Sequence, residues 1–326
     1  MRRLAVGGMA ELYLADQLLL GSIPRRVVVK RILADKLDDD EFMTMFADEA
    51  RLMARLSHPN VAAVLDAGTI GVEPFMALEY VSGASLGQLM QASAATPLGV
   101  LSENEALAML LQVAEALAYV HEARDERGRP MNIVHRDLTP ANVIISFDGA
   151  AKLIDFGIAK GENRVYQTTT GVLKGTCGYM APEQLSEEQQ IDFRTDIFAF
   201  GVIFYEAVCG RPAFTAKQVV QLYDQVLNAR YAPPRSVRPG LAAGLASLID
   251  ACLARDPRQR PASMHVVAAA LRDELARRTS RPLMSEIGAL VRILCPPTDG
   301  GGAADIETDP TAEPEGEWVT AIDHER

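Results

Sequence analysis

Asp137, Asn142 and Asp155 are set at steps of five and thirteen residues, and two apolar runs, Val143–Ile145 and Ala151–Ile154, lie between the last two. No other feature restricts the fold as much. A carboxylate and an amide share one loop, His135-Arg136-Asp137-Leu138-Thr139-Pro140-Ala141-Asn142, and a strand-like run follows it. A second strand-like run then delivers another carboxylate at Asp155-Phe156-Gly157. Asp137 is suited to accept a hydroxyl proton, while Asn142 and Asp155 are oxygen ligands of the kind that hold hard cations such as Mg²⁺. Two strands meeting a cation pair suit phosphoryl transfer.

The rest of the chain narrows the field by exclusion. Its 326 residues suffice for two domains, or for one large two-lobed domain with a tail. The balance of 32 Lys+Arg against 43 Asp+Glu gives a formal net charge of −11, with no basic run, which argues against a nucleic-acid partner bound through its phosphates. Cys177, Cys209, Cys252 and Cys295 lie far apart with no Cys-x-x-Cys pair, which disfavours a zinc site or a disulfide framework and suits a reducing compartment. Glu11 and Asp16 interrupt the apolar stretch a signal peptide needs after Met1-Arg2-Arg3, and no 18-residue apolar run occurs. A soluble, cytoplasmic protein without a membrane partner is expected.

Glu11–Ala15 and Arg26–Lys30 read as strands separated by the turn signal Gly21-Ser22-Ile23-Pro24. From Asp38 to Ser57 a helix follows, with Phe42, Met45, Phe46, Glu49, Leu52, Met53 and Leu56 on one face and Asp38, Asp39 and Asp40 at its N-terminal end. Glu49 is the misfit, a carboxylate on an apolar face. Ser102-x-x-Glu105 is a capping-box signature opening an Ala/Leu-rich helix to about His121. Asp196–Val208 reads as a buried helix, Ala262–Arg278 as an amphipathic one, and Met284, Ile287, Val291 and Leu294 as the docking stripe of a last helix. The fold class is α+β, a small strand-rich lobe with one helix beside a larger, mainly helical lobe. Residues 299–326 hold nine acidic side chains and one basic one and are expected to be a disordered, solvated tail around Trp318.

Taken in order, Val27-Val28-Val29-Lys30, Glu49, His135-Arg136-Asp137, Asn142, Asp155-Phe156-Gly157 and Ala181-Pro182-Glu183 resemble the signature set of the eukaryotic-like (bacterial) serine/threonine protein kinases. The resemblance implies a kinase domain over 1–278, with an N-lobe over about 1–78, a hinge at 79–81 and a C-lobe over 82–278, then a helix or linker over 279–298. It implies ATP and Mg²⁺, with Mn²⁺ as a substitute, as cofactors. Lys30 would contact the α- and β-phosphates and pair with Glu49; Asp137 would position and deprotonate the acceptor; Asn142 and Asp155 would hold the metal ions. Leu4 and Leu12 would cap the adenine, Val28 and Ile144 would sandwich it, and Glu79, Tyr80 and Val81 would meet its edge beyond Leu78. Glu183 and Arg260 would form a buried pair, Asp196 would brace the His135-Arg136 backbone, and Gly157 would let the following segment reorient.

The chain departs from the family pattern in three places. In the phosphate loop, Ala5-Val6-Gly7-Gly8-Met9-Ala10, only Gly7 of the family's three glycines is retained, although Gly7 and Gly8 still allow close backbone approach. Only Met1-Arg2-Arg3-Leu4 precede that loop, so a short first strand or a start further upstream is expected. Thr139 replaces the family's usual lysine, which implies slower transfer. The segment Gly175–Met180 resembles the substrate loop of bacterial serine/threonine kinases, with Thr176 facing the catalytic aspartate, so protein substrates with Ser/Thr acceptors are expected. A phosphate on Thr168, Thr169 or Thr170 would dock on Arg136, so autophosphorylation in trans, through self-association, is the expected activation step in signalling. The departures motivate an alternative, a pseudokinase scaffold.

Overall fold

The computed structural model describes residues 1–7, 10–20, 22–71, 73–96, 101–157, 177–186 and 191–297. Five antiparallel strands form the N-lobe sheet: β1 (Arg2–Val6), β2 (Ala10–Leu19), β3 (Ile23–Ile32), β4 (Val64–Ile70) and β5 (Glu73–Glu79), in the order β1-β2-β3-β5-β4. β2 and β3 run several residues beyond their apolar stretches. Pro24 is tolerated in β3 because it pairs only with Leu18 of β2, β5 joining from Val27 onward. Helix α1 (Asp40–Met53) packs on this lobe, with Asp39 as N-cap accepting from Phe42 N at 3.0 Å. It buries Phe42, Phe46, Glu49, Ala50 and Met53, so the misfit carboxylate does face inward.

Asn60 ties the lobes together. Its Nδ2 donates to Ala151 O at 2.7 Å and Gln112 Oε1 at 3.0 Å, and its carbonyl accepts from Leu153 N at 2.9 Å. The His58-Pro59-Asn60 turn is thus more than a connection.

The C-lobe opens with a second sheet, β6 (Gly83–Ser85), β7 (Val143–Ser146) and β8 (Ala151–Leu153), in that order. Its described helices are α2 (Leu86–Ala94), α3 (Glu103–His121), α4 (Arg194–Cys209), α5 (Val219–Leu227), α6 (Pro234–Val237), α7 (Ala243–Cys252), α8 (Met264–Arg278) and α9 (Met284–Leu294). Ser102 and Glu105 form the capping box of α3, and Ser85 with Gln88 forms another on α2. α4 is buried on nearly every side because α3 and α7 pack against it; a Cβ on Gly201 would lie 2.7 Å from Cys252 Cβ. α9 lies against the β7–β8 turn with Ile287 and Val291 buried, and a Cβ on Gly288 would come within 2.3 Å of Phe147 O. Among the described residues no helix is long and apolar enough to cross a membrane.

Candidate active site

Between the lobes lies a cleft of about 470 Å³. β1, its following turn, β2 and β3 bring Leu4, Gly7, Leu12, Val28 and Lys30 to its roof; Glu79 and Val81 border its back; Ile144, Asp137, Asn142 and Asp155 lie on its floor. Gly7 N donates to Ala10 O at 2.8 Å, closing the turn over the cleft. Phe42 and Phe46 of α1 also line it, as do Ser85 and Gln88. The spacing of Phe42, Phe46 and Glu49 on one helical face was the available signal for the two rings. Gly8, Thr168, Thr169, Thr170, Thr176 and the tail 299–326 lie outside the described residues.

Lys30 anchors the site. Its Nζ lies 2.9 Å from Glu49 Oε1 and 3.0 Å from Asp155 Oδ1, joining β3, α1 and the residue after β8. Burial works against its ammonium, but the charges of Asp155 and Glu49 outweigh that, and its pKa is raised above the ordinary lysine value. It is therefore a permanent cation in the roof of the cleft.

Asn142 Nδ2 donates to the Asp137 main-chain O at 2.8 Å and to its Oδ2 at 3.1 Å. With its amide hydrogens committed to Asp137, Asn142 retains its oxygen as the atom for a cation, and with the Asp155 carboxylate it forms a hard donor set that fits Mg²⁺.

Two backbone features of this loop have no sequence signal. Arg136 and Asp155 hold positive φ, 63° and 52°, an uncommon conformation for non-glycine residues that is typical of functional loops. Gly157 has no positive φ. Its requirement in this structure is space, since a Cβ there would lie 2.9 Å from Asp137 Cβ. Gly157 N also donates to His135 O at 2.8 Å.

Asp196 of α4 holds the loop from below. Its Oδ2 accepts from His135 N at 2.8 Å, its Oδ1 from Arg136 N at 2.9 Å, and His121 Nε2 lies 2.8 Å from Oδ2. His121, the last residue of α3, carries no mark in the sequence that distinguishes it from a helix-end histidine. Burial would raise the Asp196 pKa, but the hydrogen bond and charge of His121 and the loop amides hold it below the usual carboxylate value. A depressed folded pKa stabilises the fold above the unfolded pKa of about 4 and loses that contribution as pH falls through the folded value. Asp196→Asn is expected to cost about 3 kcal/mol in urea unfolding at pH 7, with the gap to wild type closing below about pH 4.

Glu183 and Arg260 meet as a buried bidentate pair, Nη1 to Oε1 at 2.6 Å and Nη2 to Oε2 at 2.8 Å. Gln184, beside Glu183, donates from Nε2 to Arg136 O at 2.9 Å, linking the pair to the loop that carries Asp137. On the outer side of that loop, a second cavity of about 490 Å³ is lined by Thr139, Pro140, Gly178, Tyr179, Phe214 and Leu222.

Residues 7–271 match the family model described as the protein kinase domain. The tyrosine-protein kinase MasK of Myxococcus xanthus is 36% identical over 89% of this chain and 45% of its own length. Serine/threonine-protein kinase PknB of Mycobacterium tuberculosis is 32% identical over 84% of this chain and 41% of its own. This chain therefore spans less than half the length of these relatives. The crystal structure of the Mycobacterium tuberculosis PknI kinase domain superposes with a TM-score of 0.61 at 29% identity, covering 84% of this chain and 94% of that one. The two lobes, the cleft between them and the matching residues lead to one conclusion: the chain belongs to the protein kinase family and has the two-lobed protein kinase fold.

Proposed function

We propose that this chain transfers the γ-phosphate of ATP to serine or threonine hydroxyls of protein substrates. The observation that carries the reading is Lys30 held at 2.9 Å by Glu49 and 3.0 Å by Asp155, in the same cleft as Asp137 and Asn142. Lys30 orients the α- and β-phosphates, and Glu49 orients Lys30. Leu4, Gly7, Gly8, Leu12, Val28, Glu79, Val81 and Ile144 receive the nucleotide. Asn142 and Asp155 hold Mg²⁺, which when bound neutralises charge on the transferring phosphoryl group. Asp137 positions the acceptor hydroxyl and takes its proton as the new O–P bond forms and the bond to the leaving ADP oxygen breaks.

PknB and two further relatives similar to this chain carry serine/threonine kinase names, which supports Ser/Thr acceptors. The 36% identity to a relative named as a tyrosine kinase favours tyrosine as the second reading. Activation is by autophosphorylation in trans on Thr168, Thr169 or Thr170, with Arg136 as the docking cation and Thr176 in the substrate loop, within a cytoplasmic signalling role. The test is incubation with γ-labelled ATP and Mg²⁺, alone and with a basic protein substrate, followed by phosphoamino-acid analysis and site mapping. Phosphoserine or phosphothreonine, absent from the Asp137→Asn variant, is the expected result. Phosphotyrosine alone reassigns the acceptor, and ATP binding without transfer makes the chain a scaffold.

A further inference from the structure

A third cavity, of about 670 Å³, is larger than the nucleotide cleft and shares no lining residue with it. It opens where the link between α1 and β4, carrying Arg55 and His58, meets α3 and α8 of the large lobe. α8 packs along α3, and the buried side chains that line the groove there, Ala118 and Ala268, are too small to fill it. The space is of the size that small-molecule sites have, roughly 300 to 1,000 Å³.

Its charge is the reverse of the chain's. The guanidiniums of Arg55, Arg124 and Arg272 border the groove against two carboxylates, Glu115 and Glu122, on a chain whose formal net charge is −11. Three against two leaves it positive whatever the state of its imidazoles. Both carboxylates are engaged, Glu115 Oε1 lying 2.7 Å from Arg272 Nη2 and Glu122 Oε2 lying 3.0 Å from His265 Nε2. Arg55 and Arg124 have no carboxylate partner among the described residues, and Arg124 spends one N–H on Gly128 O at 2.8 Å.

His58 adds a donor of fixed direction. Its Nδ1 accepts from Asn60 N at 3.1 Å, and its ring stacks on Tyr119 with centroids 5.0 Å apart, Tyr119 itself accepting from Ser57 N at 2.9 Å. With Nδ1 used as an acceptor, the neutral ring carries its proton on Nε2, which has no partner among the described residues. Burial lowers the His58 pKa and the charge of Lys152 adds to that, against the opposing pull of Glu115, so the neutral ring prevails at pH 7.

Donors therefore reach one groove from three places, the α1–β4 link, the residues after α3, and α8. A carboxylate offers two oxygens in one plane, whereas a phosphate turns its oxygens in diverging directions and can accept from all three. The volume exceeds what a single phosphate group fills. We propose that this groove binds a small molecule bearing a diphosphate, its oxygens held by Arg55, Arg124 and His58 Nε2, with the remaining N–H groups of Arg272 completing the set. Such a ligand joins the link below the small lobe to two helices of the large lobe. The site stands apart from phosphoryl transfer and does not depend on it.

Pyrophosphate without Mg²⁺ is the probe, titrated calorimetrically into the full chain. The expected result is one saturable site that persists in Lys30→Met, where the nucleotide cleft has lost its phosphate-facing cation. In the double variant Arg55→Gln with Arg124→Gln the affinity should fall by about tenfold or more. Both arginines are exposed, so the free double variant should melt with wild type, while the rise in Tm that pyrophosphate gives wild type should disappear. Absence of saturable binding overturns the proposal. So does binding that is lost in Lys30→Met and kept in the double variant, which places pyrophosphate in the nucleotide cleft. Equal affinity for succinate at the same ionic strength also overturns it, because the groove is then an unselective basic surface.

Discussion

Asp137→Asn is expected to slow phosphoryl transfer by about 10²- to 10⁴-fold, or roughly 3 to 5 kcal/mol of transition-state stabilisation, and to leave ATP affinity near its wild-type value. The substitution preserves shape. The main-chain O of residue 137 still accepts from Asn142 Nδ2 at 2.8 Å, the amides of His135 and Arg136 still bond to Asp196, and Lys30 keeps both carboxylate partners. What is lost is the carboxylate proposed to take the acceptor proton. Single-turnover transfer measured beside equilibrium titration with a fluorescent nucleotide separates the two effects. Lys30→Met provides the contrast, because it leaves Glu49 and Asp155 without the cation between them and is expected to weaken nucleotide binding as well as rate. A transfer rate within threefold of wild type in Asp137→Asn would remove Asp137 from the role of base.

The parts of this site that were legible in the sequence are those in which a residue violates its surroundings. Glu49 interrupts an apolar helical face, and the structure puts that face inward with Lys30 at 2.9 Å. Asn142 and Asp155 are separated by two apolar runs, and strands β7 and β8 account for that spacing. The left-handed backbone at Arg136 and Asp155 was not legible, because a conformation imposed by tertiary contacts on non-glycine residues leaves no trace in composition. The His121–Asp196 contact was equally silent, since long-range pairing of a helix end with a distant helix has no local pattern. Ser85-x-x-Gln88 is a different case: its capping-box signal is present in the chain, yet it opens a helix of only nine residues with little periodicity to reinforce it. The β2–β3 ribbon runs beyond its apolar stretches because cross-strand pairing continues where neither β1 nor β5 follows.

Breaking the Glu183–Arg260 pair should give the largest loss of stability of any single change near the site, about 3 to 5 kcal/mol, which for a domain of this size lowers Tm by about 10 °C. Both side chains are buried, and the pair is bidentate, with Thr195 Oγ1 donating to Glu183 Oε1 at 2.9 Å and the Phe198 ring 4.9 Å below the guanidinium. The two single substitutions should not be equal. In Glu183→Gln the guanidinium keeps the carbonyls of Ala254 and Arg194, at 2.9 and 2.8 Å. In Arg260→Met the buried carboxylate keeps the Thr195 hydroxyl but loses both guanidinium contacts, so this variant should be the less stable. Arg260→Met combined with Glu183→Leu removes both charges and should recover part of the loss, because neither charge is then left uncompensated. Urea unfolding of wild type, Glu183→Leu, Arg260→Met and the double variant gives the coupling energy, and additive single effects would show that the pair does not act as a unit. Activity should fall along with stability, and for a geometric reason: Gln184, next to Glu183, holds the Arg136 carbonyl at 2.9 Å, so a displaced Glu183 shifts the loop that carries Asp137.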